Sequence, residues 1–329
     1  MPEDFRLATY NLENFDDEVP EPLFAARVRA LRPVLETLAA DVLCLQEIDA
    51  QPRNRSPRTL RALRRLIDGT SYEGFHLVCS EPEPGHGPAD RHNLVVLSRF
   101  PVLASRSIRH ELVPPPAHGL PIATGSAFGK PPPGAAGWDR PLQHVTLGLP
   151  VGKRLEVVNL HLRAPLAAHV AGAMLAPQVW SETGAWAQGF YVSVLKRIGQ
   201  ALEARLVVDR LYDGNPAALI AVTGDLNADS FEMPIRLLQA GAADTGNPAL
   251  AARRLGQAAD RLPPTRRFTV RHGGRTALFD HILLSPALFA SMRSIDALNE
   301  GLADEAESEA AGTRPAASYH APLVARFSL

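Results

Sequence analysis

LIAVTGDLN, residues 219–227, is an apolar run that ends on a glycine, an aspartate and an asparagine. The apolar part reads as a buried strand, and it stops where polar side chains begin. MPIRLLQAG (233–241) follows with helical spacing. This arrangement, an apolar strand with a polar tip and then a helix or loop, recurs along the chain.

Working outward, FRLATYNL (5–12), DVLCLQEI (41–48), HLVCS (76–80) and HNLVVLS (92–98) read as strands, the last two as a pair. LQHVTLGL (142–149) and RLEVVNLHL (154–162) are two more, joined by the Pro/Gly turn PVGK (150–153). FTVRHGG (268–274) is a strand and turn, ALFDHILLS (277–285) a strand, and HAPLVARFSL (320–329) closes the chain. Helical spacing covers 22–39, where Pro33 marks a kink or break, then 59–67 and about 188–212. So many strands with few helices predict an α/β fold of two packed sheets with helices outside, a four-layer α/β sandwich. No repeat of fixed period is present, and the whole of 1–329 reads as one domain. Residues 111–138, rich in Pro and Gly, predict a long loop, and so does the acidic then Ala/Gly/Pro-rich stretch 299–317.

The chain has 329 residues, 46% hydrophobic, enough for a sizeable core. Formal net charge is −1, so no basic excess advertises a nucleic-acid partner. The two cysteines, Cys44 and Cys79, lie in strand-like contexts, which excludes a disulfide scaffold and suits small core residues. The first residues lack a charged region followed by an apolar run, and no stretch is long enough to span a bilayer. A cytoplasmic protein without membrane insertion is expected, and nothing calls for an obligate protein partner.

The chemistry gathers at the strand tips. They carry Asn11 and Glu13 (TYNLEN), Glu47 (LCLQEI), Asn93 (RHNLVVLSRFP), His161 (VVNLHL), Asp225 and Asn227 (VTGDLN), Asp280 and His281 (FDHILLS) and His320 (SYHAPL). Each alone reads more simply as a strand-end or structural group. Together they are many polar groups for apolar segments, and burying them costs free energy unless they pair or bind a metal.

These motifs resemble the endonuclease/exonuclease/phosphatase superfamily, which includes DNase I-like nucleases, abasic-site endonucleases, inositol-polyphosphate phosphatases and sphingomyelinases. TYNLENF, LCLQEID and LSRFP match its first three motifs, and NLHL, GDLN and DHILLS follow in family order before a terminal histidine. The likeness spans residues 6–327, and RRFTVRHGGRTALFDHILLS resembles the bacterial nuclease-like branch. It implies the four-layer sandwich and a divalent-metal-dependent phosphodiester hydrolase. Glu47 would hold Mg²⁺, with Mn²⁺ as a substitute. Asn11 would help fix the metal or the phosphate. Asp225 would align water or a second metal, and Asn227 would donate to a phosphate oxygen. His161 would donate to a non-bridging oxygen. Asp280 would orient His320, and either His320 or Asp225 would serve as base. Asn93 and Arg140 would contact substrate. Relatives commonly carry Asp before the terminal histidine; here Tyr319 stands there, and an uncharged phenol cannot replace a carboxylate at a metal.

The resemblance implies a phosphate-ester substrate. Six arginines in 53–65 and seven in 253–275 could follow a nucleic-acid backbone, or form solvated faces. A nuclease is the first expectation. The alternatives are a phosphatase or phosphodiesterase on a small or lipid-headgroup ester, and a non-catalytic binding module of the same fold. Residues 111–138 and 163–187 are candidate substrate-selecting loops.

Overall fold

Strand pairing brings the polar tips to one end of the molecule. The computed structural model describes residues 4–329 except 53–54, 56, 83–86, 119, 121–135, 171, 177 and 314. In chain order the first half holds β1 (Asp4–Phe15), α1 (Glu21–Leu38), β2 (Val42–Ile48), α2 (Arg61–Ile67), β3 (His76–Cys79), β4 (Asn93–Ser98), β5 (Val102–Ile108), β6 (Leu142–Gly148) and β7 (Arg154–His161). Then come β8 (Met174–Ala176), β9 (Val179–Trp180), α3 (Thr183–Gly214), β10 (Leu219–Asp225), α4 (Met233–Gln239), α5 (Ala242–Thr245) and β11 (Gly256–Gln257). The rest is β12 (Val270–His272), β13 (Arg275–Ala277), β14 (Asp280–Leu284), α6 (Pro286–Ser291), β15 (Met292–Ala297), α7 (Glu305–Ala310) and β16 (Leu323–Ser328).

Two six-stranded sheets result, in the orders β15-β16-β1-β2-β4-β3 and β11-β14-β10-β7-β6-β5. Each has one parallel pair, β1 with β2 and β7 with β10. A parallel pair needs a crossover, and α1 and α3 supply them. Side chains alternate between two cores. Leu7, Cys44, Val157 and Ile282 face the other sheet. Tyr10 and Leu45 face outward, under α1 and α2. Val158, Leu160 and Val222 face outward, under Ala201, Ala204 and Val208 of α3. The architecture is the expected four-layer α/β sandwich.

Some boundaries differ from expectation. Helix α1 runs on through Pro33 without a break. Helix α3 starts at Thr183, earlier than the pattern indicated. Strands β5 and β15 lie at sheet edges with largely exposed side chains, so no apolar run announced them. Residues 299–317 are not all loop: Asp304 caps the short α7 by accepting from Glu307 N. The GG of FTVRHGG is the turn of the β12–β13 hairpin, with φ of 58° and 75° at Gly273 and Gly274, where glycine bears no Cβ penalty. Of the Pro/Gly-rich loop 111–138, residue 119 and residues 121–135 lie outside the described residues. Both cysteines are free, Cys44 in the inter-sheet core and Cys79 half-buried on β3. Among the described residues, no helix is long and apolar enough to cross a membrane.

Directly behind the tips the inter-sheet core turns polar. Gln46 Nε2 on β2 donates to Asn159 Oδ1 on β7 at 2.8 Å and to Thr9 Oγ1 on β1 at 3.1 Å. Asn159 Nδ2 donates to Gln143 Oε1 on β6 at 3.1 Å. These side chains are buried, and each leans on the others for its hydrogen bonds. Replacing Asn159 by Ala removes a hydrogen-bond partner from Gln46 and from Gln143 and should destabilise the protein by about 2 kcal/mol. Urea unfolding of Asn159→Ala measures this; an unchanged midpoint would contradict a structural role for the network.

Candidate active site

Register sets the first row of the site. On β10, Asp225 pairs with His161 of β7 on one side and with Asp280 of β14 on the other. Residues paired in register share a sheet face, so the three side chains stand abreast. Gly224 makes this possible. Its φ is +133°, and a Cβ there would lie 1.9 Å from Leu160 O. Strand β10 ends at Asp225, and Asn227 takes a left-handed turn, φ 47°. Asn227 therefore folds back rather than continuing the strand face. Its N–H donates to Asp225 Oδ1 at 2.9 Å, and its Nδ2 to Leu162 O at 3.1 Å.

The other sheet brings Asn11 and Glu47. Glu47 has φ 58° where the pairing of β2 slips between Leu45 and Ile48. Such a bulge re-aims a side chain. Asn11 Oδ1 accepts from Glu13 N at 2.8 Å, which turns the amide nitrogen toward the acids. Asn11 Nδ2 then donates to Glu47 Oε1 at 3.1 Å and to Asp225 Oδ2 at 2.9 Å, spanning the two sheets. Toward the carboxylates Asn11 presents a donor. Asn14 N donates to Glu47 Oε2 at 2.9 Å.

His161 Nε2 lies 3.4 Å from Asp225 Oδ2 and 3.7 Å from Glu47 Oε1. His320 Nδ1 contacts Asp280 Oδ2 at 2.8 Å, and its Nε2 lies 3.9 Å from Asp225 Oδ2. Ser318 ties this histidine to β1: its Oγ donates to Asn11 O at 2.8 Å and accepts from His320 N at 3.0 Å. Tyr319 is buried between them, its hydroxyl on Thr313 O and its N–H on Glu13 Oε2 at 3.2 Å. Arg140 enters from the side. Its Nη1 donates to His161 O at 3.3 Å and its Nη2 to His92 Nδ1 at 3.2 Å. His92 Nε2 in turn meets Asn14 Oδ1 at 2.7 Å.

Thus Asn11, Glu47, Arg140, His161, Asp225, Asn227, Asp280 and His320 converge. Asn93 does not. Its amide is used up on Ile48 O, Ala89 O and Ala89 N, within a buried turn. It holds the segment that carries His92. His281 points the other way and holds Ala228 O at 2.8 Å. His92, Asn14 and Ser318 were missed. His92 sits immediately before Asn93 at the head of β4, and that polar pair ahead of an apolar run is its sequence signal. Ser318 has no sequence signal beyond its place before His320.

Burial pushes Asp225 up to about 7, with His320 opposing and Asp280 adding to the rise. For His320 burial opposes the charged form, but the Asp280 and Asp225 carboxylates outweigh it and raise the imidazole to about 10. Burial, then the Arg140 charge, hold His161 well below its ordinary value, so it is neutral. For Glu47 burial works against ionisation, yet His92, the Asn11 hydrogen bond and Arg140 keep it below the usual carboxylate range.

Two sets of possible ligand atoms lie within 4.8 Å of one another: Glu47, His161 and Asp225; and Asp225, Asp280 and His320. Buried Oδ1 of Asp280 has no hydrogen-bond partner. Closely spaced carboxylates with an unsatisfied oxygen fit a divalent cation.

The sequence profile of the Endonuclease/Exonuclease/phosphatase family matches residues 8–301. The chain belongs to this family. Members of the endonuclease/exonuclease/phosphatase family are phosphoesterase hydrolases. Solved structures agree on the fold. Truncated TDP2 from Caenorhabditis elegans superposes with a TM-score of 0.55 at 16% identity, covering 99% of this chain and 98% of that one. An endonuclease/exonuclease/phosphatase from Beutenbergia cavernae gives 0.55 at 18%, covering 99% and 72%. The mannosyl-6-phosphatase of Bacteroides thetaiotaomicron gives 0.56 at 14%, covering 98% of each. None of the curated proteins matches the chain in sequence.

The Asp280–His320 pair is directly testable without substrate. A histidine raised in the folded state contributes stability that is complete below its unfolded value of about 6.5 and is lost as pH rises through the folded one. With EDTA present, NMR should find the His320 ring still charged at about pH 8, and Asp280→Asn should bring its titration down toward about 6.5. A His320 that titrates alike in both proteins would remove Asp280 as its partner.

Proposed function

We propose that this chain is a divalent-metal-dependent phosphoesterase whose Glu47 and Asp225 hold Mg²⁺, with Mn²⁺ as a substitute. The observation that carries this reading is Asp225, which belongs to both ligand sets at once. It joins the Glu47–His161 side to the Asp280–His320 side. When bound, the cation supplies Lewis acidity toward the phosphate. Asn11 holds the two acids in place through its amide nitrogen.

Protonation states and geometry support the remaining roles. His320, charged at neutral pH, cannot accept a proton, so it stabilises negative charge or protonates the leaving oxygen. Asp225, fixed by the Asn227 N–H and facing His320 Nε2, aligns the attacking water beside the cation it helps to hold. Neutral His161 donates from Nε2 to a non-bridging oxygen. Asn227 supports Asp225, donating to Oδ1 from its N–H and to Oδ2 from Nδ2 at 3.2 Å; with Nδ2 also on Leu162 O, its amide is committed to holding the carboxylate, not to the phosphate. Arg140, with Nε lacking a partner, offers a guanidinium to the same phosphate.

A compact phosphate ester is the favoured substrate class, because six of the thirteen arginines in the two segments pair with nearby acids. Arg61 and Arg65 pair with Asp17, and Arg58 with Asp90. Arg253 pairs with Asp213, Arg266 with Asp296 and Glu300, and Arg267 with Asp260. Arg53 lies outside the described residues. A nuclease is the second reading, and one feature favours it. Arg271 and Arg275 are exposed on the β12–β13 hairpin, without an ion-pair partner among the described residues. Its base is joined to the site: Thr269 Oγ1 accepts from Asp280 N, and Thr269 O from Ala321 N.

Hydrolysis of small phosphomonoesters and phosphodiesters and cleavage of supercoiled plasmid should be measured with Mg²⁺ and with EDTA. Asp225→Asn and His320→Ala should each lower kcat by roughly 10²–10⁴-fold. Turnover that survives EDTA, or survives both substitutions, would overturn the metal-dependent reading. Plasmid cutting without turnover of any small ester would move the substrate to nucleic acid, and Arg271→Ala should then weaken it.

The cation itself can be followed by melting. A ligand that binds only the folded protein raises Tm. Mg²⁺ should raise the Tm of the wild type and have a smaller effect on Glu47→Gln; equal shifts would take Glu47 out of the metal site.

A further inference from the structure

Three residues of α3 at helical spacing, Lys196, Gln200 and Glu203, bond to three successive residues of the segment that carries Arg140. Lys196 Nζ donates to Asp139 Oδ1 at 2.6 Å. Gln200 Nε2 donates to the Arg140 carbonyl oxygen at 3.0 Å. Glu203 Oε2 accepts from Trp138 Nε1 at 2.5 Å. Residues 196, 200 and 203 share one helix face, so a single row engages the whole tripeptide.

Glu203 is fully buried and acts as the anchor. Besides Trp138 it accepts from His110 N at 3.0 Å and Leu112 N at 3.1 Å. The His110 ring lies 4.2 Å from the Trp138 ring, and its Nε2 accepts from Trp138 N at 3.2 Å. Gly199 leaves room for the indole: a Cβ there would come within 2.2 Å of it. A buried carboxylate satisfied by three N–H donors holds its partners closely, because each lost bond exposes a charge to a dry surrounding.

We propose that this face of α3 is a positioning device that sets the Arg140 guanidinium against the reacting phosphate, with Glu203, Gln200 and Trp138 as positioning residues. The inference rests on the reading that Arg140 binds that phosphate. It goes beyond it by assigning the arginine's placement to a helix whose row of side chains holds the Arg140 backbone, Asp139 and Trp138 and, through Glu203, the 110–112 segment, without touching the guanidinium.

A double-mutant cycle tests it, with bis(p-nitrophenyl) phosphate and Mg²⁺ as substrate and cation. Gln200→Leu and Trp138→Phe should each lower kcat/KM about tenfold, since small misplacements of a catalytic group are costly. In an Arg140→Ala background the same substitutions should cause no further loss. A purely structural role would give equal losses in both backgrounds, and that result overturns the proposal, as do single variants with wild-type kcat/KM. Lys196→Met, at a part-exposed position, repeats the cycle if Trp138→Phe fails to fold. If Arg140→Ala itself keeps wild-type kcat/KM, the phosphate-binding reading of Arg140 falls, an outcome separate from additivity in the cycle.

Discussion

One amide nitrogen spans the two halves of this protein's chemistry. Asn11 Nδ2 bonds a carboxylate from each sheet, Glu47 and Asp225. Two carboxylates so close repel each other, and a sandwich has no intrinsic reason to bring its two sheets' acids together at one rim. A donor between them lowers that repulsion and fixes their separation. The amide is itself oriented from behind by Glu13 N, and β1 is tied to the His320 segment through Ser318. Position and orientation of the acids therefore depend on β1, the strand between β16 and β2 in the first sheet.

The backbone around this contact is unusual in a consistent way. Glu13, Asn14, Glu47, His92 and Asn227 all have positive φ. Such conformations cost on the order of 1–3 kcal/mol each outside glycine and persist only where surroundings over-determine them. Here the surroundings do so. Asn14 N and Asn227 N are hydrogen-bonded to site carboxylates, and His92 N donates to Asp49 Oδ1 at 2.9 Å. Behind them the Gln46–Asn159–Gln143 network keeps the sheets in one relative placement, which greasy side chains alone define less sharply. Strain at the rim and hydrogen bonding beneath it are two sides of one arrangement.

Much of this was legible in the sequence because the signals were local. Apolar runs marked β1, β2, β4, β6, β7, β10, β14 and β16, and the polar residues closing them marked the rim. In-register neighbours then did the rest: His161, Asp225 and Asp280 fall side by side because each ends or begins its strand at the same level. Illegible parts depend on partners distant in sequence. Strands β5 and β15 are edges, with polar, exposed residues that carry no pattern. Asn93, expected to contact substrate, stands at a strand start, yet three backbone bonds consume its amide. Glu203 looked like any helix glutamate, and only the fold shows that three N–H groups converge on it. The arginine runs suggested a polyanion track because sequence gives charge without its partners, and many of their partners are nearby acids.

Those paired arginines bear on how specificity can arise. With net charge −1 and much of its arginine side spent on ion pairs, the chain has little long-range field to gather a polyanion. On the proposed phosphoesterase reading, recognition then falls to groups close to the site carboxylates. Arg140 is the guanidinium in contact with His161, and its segment is clamped to α3. The same helix also secures the other rim segment: Ser193 Oγ donates to Leu166 O at 2.6 Å, and Gly189 O accepts from Ala168 N at 2.8 Å. Gly189 is needed there, since a Cβ would sit 2.3 Å from Ala168 O. One long helix thus fixes both flanks of the site, from Leu166 on one side to Trp138 on the other. A rigid scaffold that carries variable loops lets substrate choice change through those loops while the carboxylates and histidines stay in place.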